Sequence, residues 1–390
     1  MKLKSKKKIH YSTQQIFNSD IKSVEKVLKS DYLTTGPFIQ KFEKSISNYV
    51  KSKYAVGVNS ATSGLHLACA SLGITKGDIV WVAANSFVAS ANAAIYMGAK
   101  VEFIDINLET FNIDIDFLKK KILKTPKKNL PKALIVVHFA GYPCDLKEIK
   151  RISDKYRIKI IEDASHALGA KYMNRHIGDC KFSNITVFSF HPVKIITSAE
   201  GGIITTNNKN IYEKLMRLRN HGITRLKTHM KNKKKANWYY EQIDLGFNYR
   251  LSDIHAALGL SQLNHINGFL KKRNKIAKIY NKSLKNLPII LPKVKKNFYS
   301  SFHLYVILVQ SKLIDRDTLY KKLIKRNIFT NFHYIPIYKH PFYRKTLKMN
   351  ISLKNCETYY RKALSLPIHP RLTKKDIKLI IENLKNLIRK

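Results

Sequence analysis

A chain of 390 residues, 44% of them hydrophobic, is long enough for two domains and can fill a core. No run of eighteen apolar residues occurs, and the basic start MKLKSKKK leads into polar HYSTQQ, so neither a membrane span nor a secretory leader is expected and a cytoplasmic protein is. The 72 Lys and Arg against 26 Asp and Glu, a net charge of +46, make nucleic-acid or membrane-surface binding a rival to any enzymatic reading. The lysines are scattered along every segment, however, and the dense runs Lys2 to Lys8 and Lys231 to Lys235 hold no interleaved aromatics to stack on bases. A solvated basic surface is therefore expected, with nucleic acid an unlikely partner. Cys69, Cys144, Cys180 and Cys356 lie far apart without a CxxC pair, which fits a reducing compartment better than a zinc site or a disulfide framework.

Taken in chain order, Asn18, Ser19 and Asp20 offer N-caps for a helix with Ile21, Val24, Val27 and Leu28 on one face, and Phe38, Phe42, Ile46 and Tyr49 form a second stripe. Strand candidates follow at Tyr54 to Val58, Ile79 to Val82, Val101 to Ile104, Ala133 to His138, Ile158 to Ile161, Ile185 to Phe190 and Gly202 to Thr205. Each is short, apolar and bounded by polar or turn residues. Alternation with helical patterns predicts an α/β domain with a mainly parallel, seven-stranded sheet flanked by helices. The lysine-rich segment Leu226 to Asn237 is expected to be a mobile loop. After Ser252 the pattern changes to a long helix running toward Leu284, an alternating strand at Phe302 to Val309, a helix from Asp315 to Arg326 and a last helix from Lys374 to Ile388. Residues 1–252 are thus expected to form an N-terminal arm and the large domain, and 253–390 an interdomain helix with a smaller C-terminal α+β domain.

The chemistry concentrates in NITVFSFHPVKIITSAEGG, where a strand delivers Lys194 into a loop ending at Gly201 and Gly202. A lysine held in a partly dry pocket has a lowered pKa and is a competent Schiff-base nucleophile; the plain alternative is one more surface lysine. Thirty-one residues earlier a strand runs into Glu162 and Asp163, which places a carboxylate at a strand's carboxyl end, where α/β folds build their sites. Asp163 could keep a pyridine nitrogen protonated, with His166 near the ring oxygen, or it could simply cap the helical turn that follows. The turn Asn59 to Ser63 opens a helix whose free N–H groups, with the Thr62 and Ser63 hydroxyls, form an anion site, although many helices begin with such caps. Phe87, after the next strand, could lie flat against a heterocycle or be a core aromatic. His138, His166 and His191 lack ligand spacing, so no metal is expected.

Together FSFHPVK with the following EGG, IEDASHALGA, NSATSGL, LGFNYRLSDIHAALGLSQL, YLTTGPFIQKFE, HFAGYPCDL, RNHGI and ALSLPIHPRLT resemble the sugar aminotransferases of the DegT and StrS type over nearly the whole chain. FHPVK, AEGG, NWYYEQIDLGFNYRL and FHYIPIY are most similar to the subgroup acting in pseudaminic acid biosynthesis. The resemblance implies a fold-type I aminotransferase with pyridoxal 5'-phosphate (PLP) as cofactor and a homodimer with shared active sites. It also implies L-glutamate as donor and a UDP-linked 4-keto-6-deoxy amino sugar as acceptor, or another UDP- or dTDP-linked 4-keto or 3-keto hexose. Carried over, Lys194 holds the cofactor covalently, Asp163 pairs with the ring nitrogen and Phe87 stacks on the ring. Phosphate contacts fall to Ala61, Thr62, Ser189 and, from the partner subunit, Asn248. Substrate contacts fall to Tyr11, to Asp31, Tyr32, Leu33 and Thr34, and to Phe332, His333, Tyr334 and Ile335. Departures are Ala84, where the family often has proline, and the lysine-rich insertion after Arg225. Sugar dehydratases that share the fold carry histidine in place of the lysine, so Lys194 argues for amino transfer. An inactive scaffold turned to regulation or nucleic-acid binding is the reading from a different class.

Overall fold

Seven short apolar runs pair into one sheet, in the order Tyr54–Val58, Gly202–Thr206, Ile185–Ser189, Lys159–Asp163, Ala133–Val137, Ile79–Ala83, Lys100–Ile104. Gly202–Thr206 runs antiparallel to both its neighbours and the remaining pairings are parallel. The structure is a computed structural model and describes residues 7–232, 236 and 238–388. Within a strand, successive side chains serve opposite faces: Val80 and Val82 enter one apolar core while Trp81 and Ala83 enter the other. A sheet buried on both faces needs continuous apolar runs, and the expected strands agree with the observed ones to within a residue or two at each end. Because the strands are mostly parallel, Val58, Ala83, Val137, Asp163 and Ser189 all end at one edge of the sheet.

The helices depart from expectation in informative ways. The first helix spans Asn18–Leu28 with Phe17, not a polar residue, at its N-cap; Asp20 sits in the first turn and accepts the Phe17 N–H at 2.9 Å. Its stripe is only partly covered within the chain, since Val27 is buried while Ile21 and Leu28 are 59% and 57% exposed. The single helix expected toward Leu284 is two, Asp253–Leu263 and Ile266–Leu284. At the break the Phe17 ring stacks on His265 at 4.1 Å, and Gln262 donates to the Gln15 carbonyl and to Asp20, so the N-terminal arm pins the corner. The first of these helices packs on Asn18–Leu28 and Pro37–Val50. The second bridges two cores, with Phe269 and Leu270 in one and Ile276, Tyr280 and Leu284 in the other.

The C-terminal part builds an antiparallel sheet from Ile289–Ile290, Tyr305–Val309 and Ala363–Leu366. The alternating strand expected at Phe302 to Val309 spans Tyr305–Val309, and every residue of it is buried. The alternation is between two cores: Val306 and Leu308 face the large sheet's core, while Tyr305, Ile307 and Val309 face the core closed by Arg316–Ile324 and Lys374–Ile388. The arm contributes Ile9–His10, paired parallel with Ile328–Phe329. Of the segment expected to be a mobile loop, residues 233–235 and 237 lie outside the described ones, as do residues 1–6 of the first lysine run. No described helix is long and apolar enough to cross a membrane.

Candidate active site

The carboxyl edge of the sheet opens into a cavity of about 360 Å³ that is lined by Lys194 and Asp163 together. After Ser189 the chain leaves the sheet in tight turns: the Lys194 N–H donates to the His191 carbonyl at 2.9 Å, and Ser198 N–H and Thr197 Oγ1 both donate to the Phe190 carbonyl. These bonds fix the loop that carries the amine. Lys194 is half-buried, and desolvation lowers its pKa to about 8 against the opposing pull of Asp163. The amine is therefore poised as a nucleophile and base.

Asp163 is buried at the end of its strand, and hydrogen bonds fix its orientation. Oδ1 accepts from the Ser165 N–H at 3.1 Å and from its hydroxyl at 2.6 Å; Oδ2 accepts from Ser90 Oγ at 2.6 Å. Ser86 lies 2.7 Å from Ser90, and since Ser90 spends its proton on Asp163, Ser86 is the donor of that bond. Oδ2 keeps one accepting direction among the described residues, which suits a protonated ring nitrogen in the cavity.

Two strands separate this carboxylate's strand from Tyr54–Val58, which leads to the start of the helix Ala61–Ser71. Ser60 caps it, its hydroxyl accepting from Ser63 N–H, and its carbonyl accepts from Gly64. Helix geometry leaves the Ala61 and Thr62 amides without an intrahelical acceptor, and both residues line the cavity with Ser189. Gly202 allows this arrangement: a Cβ there would lie 2.8 Å from Ala61 N and from Ser60 C and O. The donor set, at the positive end of a helix, suits a phosphate. The residues present thus fit both ends of a phosphorylated pyridine aldehyde.

His166 and Tyr334 complete the wall. The Ala140 N–H donates to His166 Nδ1 at 3.3 Å, which assigns the imidazole proton to Nε2, 3.2 Å from the Tyr334 hydroxyl. The hydroxyl accepts this bond and keeps its own proton for the cavity. Burial, with Lys194 and His333 nearby, holds His166 well below the ordinary histidine range, so it stays neutral, and burial pushes the Tyr334 phenol up. His303 packs against His166 with ring centroids 4.4 Å apart.

Of the remaining expected residues, Tyr11, Phe332 and His333 line the cavity. Phe87 does too and is 56% exposed at the mouth, its ring 5.9 Å from that of Tyr334, so it is not a core aromatic. Asp31, Tyr32, Leu33, Thr34, Asn248 and Ile335 do not line it. Thr34 bridges Ser252 and Asp253 N–H donates to the Leu33 carbonyl, while Asn248 bridges Asn220 and its neighbours Tyr249 and Arg250 run beside Asn59 and Val58. Sequence reasoning missed Ser90, Ser86, Ser165 and His303. No local pattern marks them: Ser86 precedes the helix Ala89–Ile95, and Ser90 is 73 residues from the carboxylate it serves. Among the described residues no group of three or more metal-ligating side chains occurs.

The profile of the DegT/DnrJ/EryC1/StrS aminotransferase family matches residues 14–385. The chain is 40% identical over 382 residues to the UDP-4-amino-4,6-dideoxy-N-acetyl-beta-L-altrosamine transaminase of Campylobacter jejuni, with 97% of each chain covered. Among solved structures it superposes on Helicobacter pylori PseC, an aminotransferase involved in the biosynthesis of pseudoaminic acid, with a TM-score of 0.90 and 32% identity, covering 98% of this chain and 100% of that one. The PLP form of the putative sugar aminotransferase Spr1654 from Streptococcus pneumoniae gives 0.89 and 28%, covering 98% and 99%. The chain belongs to the DegT/DnrJ/EryC1/StrS aminotransferase family, and it is an enzyme with pyridoxal phosphate as cofactor.

Proposed function

We propose that this member of the family moves the amino group of L-glutamate onto a UDP-linked 4-keto-6-deoxy amino sugar, giving the 4-amino-4,6-dideoxy-N-acetyl-altrosamine nucleotide of the pseudaminic acid route. The observation that carries the reading is the convergence of Lys194 and Asp163 on one cavity that a helix N-terminus also lines. When bound, PLP supplies the electron sink that makes a donor's Cα proton removable. Lys194 holds the cofactor and, once released from it, takes the Cα proton of glutamate in the first half reaction. In the second half it delivers a proton to the former carbonyl carbon of the sugar, so one amine serves as base and acid. Asp163, oriented by Ser90 and Ser165, keeps the ring nitrogen protonated. Ala61 and Thr62 amides and the Ser189 hydroxyl hold the phosphate, and Phe87 covers one face of the ring. Tyr334, supported by His166 Nε2–H, donates its proton to an oxygen in the cavity, while Tyr11, Phe332 and His333 shape the space for the sugar.

The working unit in this reading is a homodimer in the reducing cytoplasm. Asp31 to Thr34 and Asn248 do not line their own chain's cavity, and Tyr32, Leu33 and nearby Leu245 are exposed, as segments offered to a partner's site would be. The four cysteines are free and buried, which suits a reducing compartment. The test is a glutamate-dependent assay of UDP- and dTDP-keto sugars read by mass. Amination of a UDP-linked 4-keto sugar, abolished in Lys194→Ala, is expected. Acceptance of dTDP sugars alone would overturn the substrate, and near-normal turnover in Lys194→Ala would overturn the role of the lysine.

A further inference from the structure

A second concavity, larger than the reaction cavity, lies elsewhere on the described structure. It is a groove of about 1200 Å³ between the helix Ile266–Leu284 and the small sheet formed by Lys171–Tyr172, Arg175–His176 and Phe298–Tyr299. We propose that this groove is a second ligand site and that it takes a nucleoside diphosphate.

Charge is the first argument. Lys271, Lys275 and Lys278 follow the i, i+4, i+7 row of one helix face, Lys171 reaches in from the opposite sheet, and no Asp or Glu lines the groove. Some surface lysines have carboxylate partners, as Lys119 has Glu148, Lys121 has Glu102 and Lys132 has Asp78. Among the described residues none of the four groove lysines has one. The three helical lysines span about 10 Å of axis, a short cationic row and not a track for a nucleic-acid strand followed over many nucleotides.

Shape and chemistry narrow the ligand further. The wall opposite the lysines is aromatic. Tyr299 is 36% exposed and is held by Asn274, whose Nδ2 donates to its hydroxyl at 3.1 Å and to the Ser300 carbonyl at 3.1 Å. Tyr49 stands on edge against His176 at 4.9 Å. Such a wall offers a base a ring to stack on, and the amides of Asn267 and Asn174 at the rim offer donors and acceptors to base edges and ribose hydroxyls. Gly169, at φ +81°, sits where sheet and helix approach: a Cβ there would press on the Leu270 side chain and lie 3.1 Å from the Tyr49 hydroxyl. An inorganic anion would use the lysines and leave the aromatic wall idle.

The test is calorimetric titration of the holoenzyme with UDP. One binding event is expected that the double variant Lys271→Glu, Lys275→Glu abolishes while glutamate-dependent turnover at low substrate stays unchanged; these side chains are exposed, so the fold is kept. Tyr299→Ala is expected to weaken the same event about tenfold. Any UDP binding in the reaction cavity survives both changes, so failure of the proposed sugar substrate removes that second event and leaves this one. An isotherm unaffected by the charge reversals overturns the proposal. So does pyrophosphate binding as tightly as UDP, or a twelve-base single strand that occupies the lysines while UDP does not.

Discussion

Replacing Lys194 by methionine keeps most of the apolar length of the side chain and removes its charge. In the folded apoprotein the ammonium form is held down from 10.5 to about 8 by burial, a fall that corresponds to roughly 3 kcal/mol at about 1.4 kcal/mol per pH unit. Because the side chain is only half-buried, solvent screening reduces the usable figure to about 2 kcal/mol. The direction follows from linkage: between about 8 and 10.5 the unfolded chain binds the proton and the folded chain does not, so stability rises with pH across that window. Below pH 8 both states are protonated and the folded protein bears the whole cost of burying the charge. Apo Lys194→Met should therefore be more stable than the apo parent by about 2 kcal/mol at pH 7, although it is inactive. That advantage should shrink steadily from pH 8 and vanish above 10.5. Urea unfolding of both apoproteins at equal concentration, at pH 7 and at pH 10, measures the gap; cofactor must be absent because a ligand of the folded state adds its own stabilisation. A variant no more stable than the parent at pH 7, or a gap that widens toward pH 10, would refute the claim that the cavity holds this amine under strain.

Two further outcomes follow from contacts at the same edge. In Gly202→Ala the added Cβ meets backbone atoms of Ser60 and Ala61 at 2.8 Å, which cannot swing aside, and overpacking of this kind costs about 1–3 kcal/mol; PLP affinity, read by fluorescence titration, should fall roughly five- to hundredfold, and parent-like affinity would show that the helix start does not hold the phosphate. Tyr334→Phe leaves the His166 Nε2–H without its acceptor and removes the proton that faces the cavity, so kcat should fall about a hundredfold with the cofactor's absorption spectrum retained, and an unchanged kcat would exclude the hydroxyl from the chemistry.

What was legible and what was not divides along a physical line. Each strand of the large sheet is local: it must be apolar over about five residues, so the pattern announces it, and with it the carboxyl-end positions of Asp163 and Ser189. Lys194 was legible for the same reason, as a cation directly behind a buried strand. The support of Asp163 was not. Ser90 lies 73 residues away in the chain, and hydroxyls in a helix look like any others until the fold brings one against a carboxylate. The pairing of His166 with Tyr334, 168 residues apart, and the contact with His303 depend on the docking of the C-terminal sheet onto the large core through Val306 and Leu308. The same docking is why the alternation of Tyr305–Val309 runs between two cores.

The sequence by itself determined the alternation of elements, the parallel sheet, the lysine and aspartate at its edge and the family to which the chain belongs, because each of these is written in short segments or in their order. Only the tertiary structure decided the rest: the tautomer of His166, the proton that Tyr334 keeps, the exposure of Phe87, the absence of Asp31 to Thr34 and Asn248 from their own chain's cavity, and the basic groove beside Ile266–Leu284. Hydrogen-bond direction and desolvation arise between groups that touch, and in this protein the groups that touch at the site come from segments scattered between Tyr11 and Tyr334.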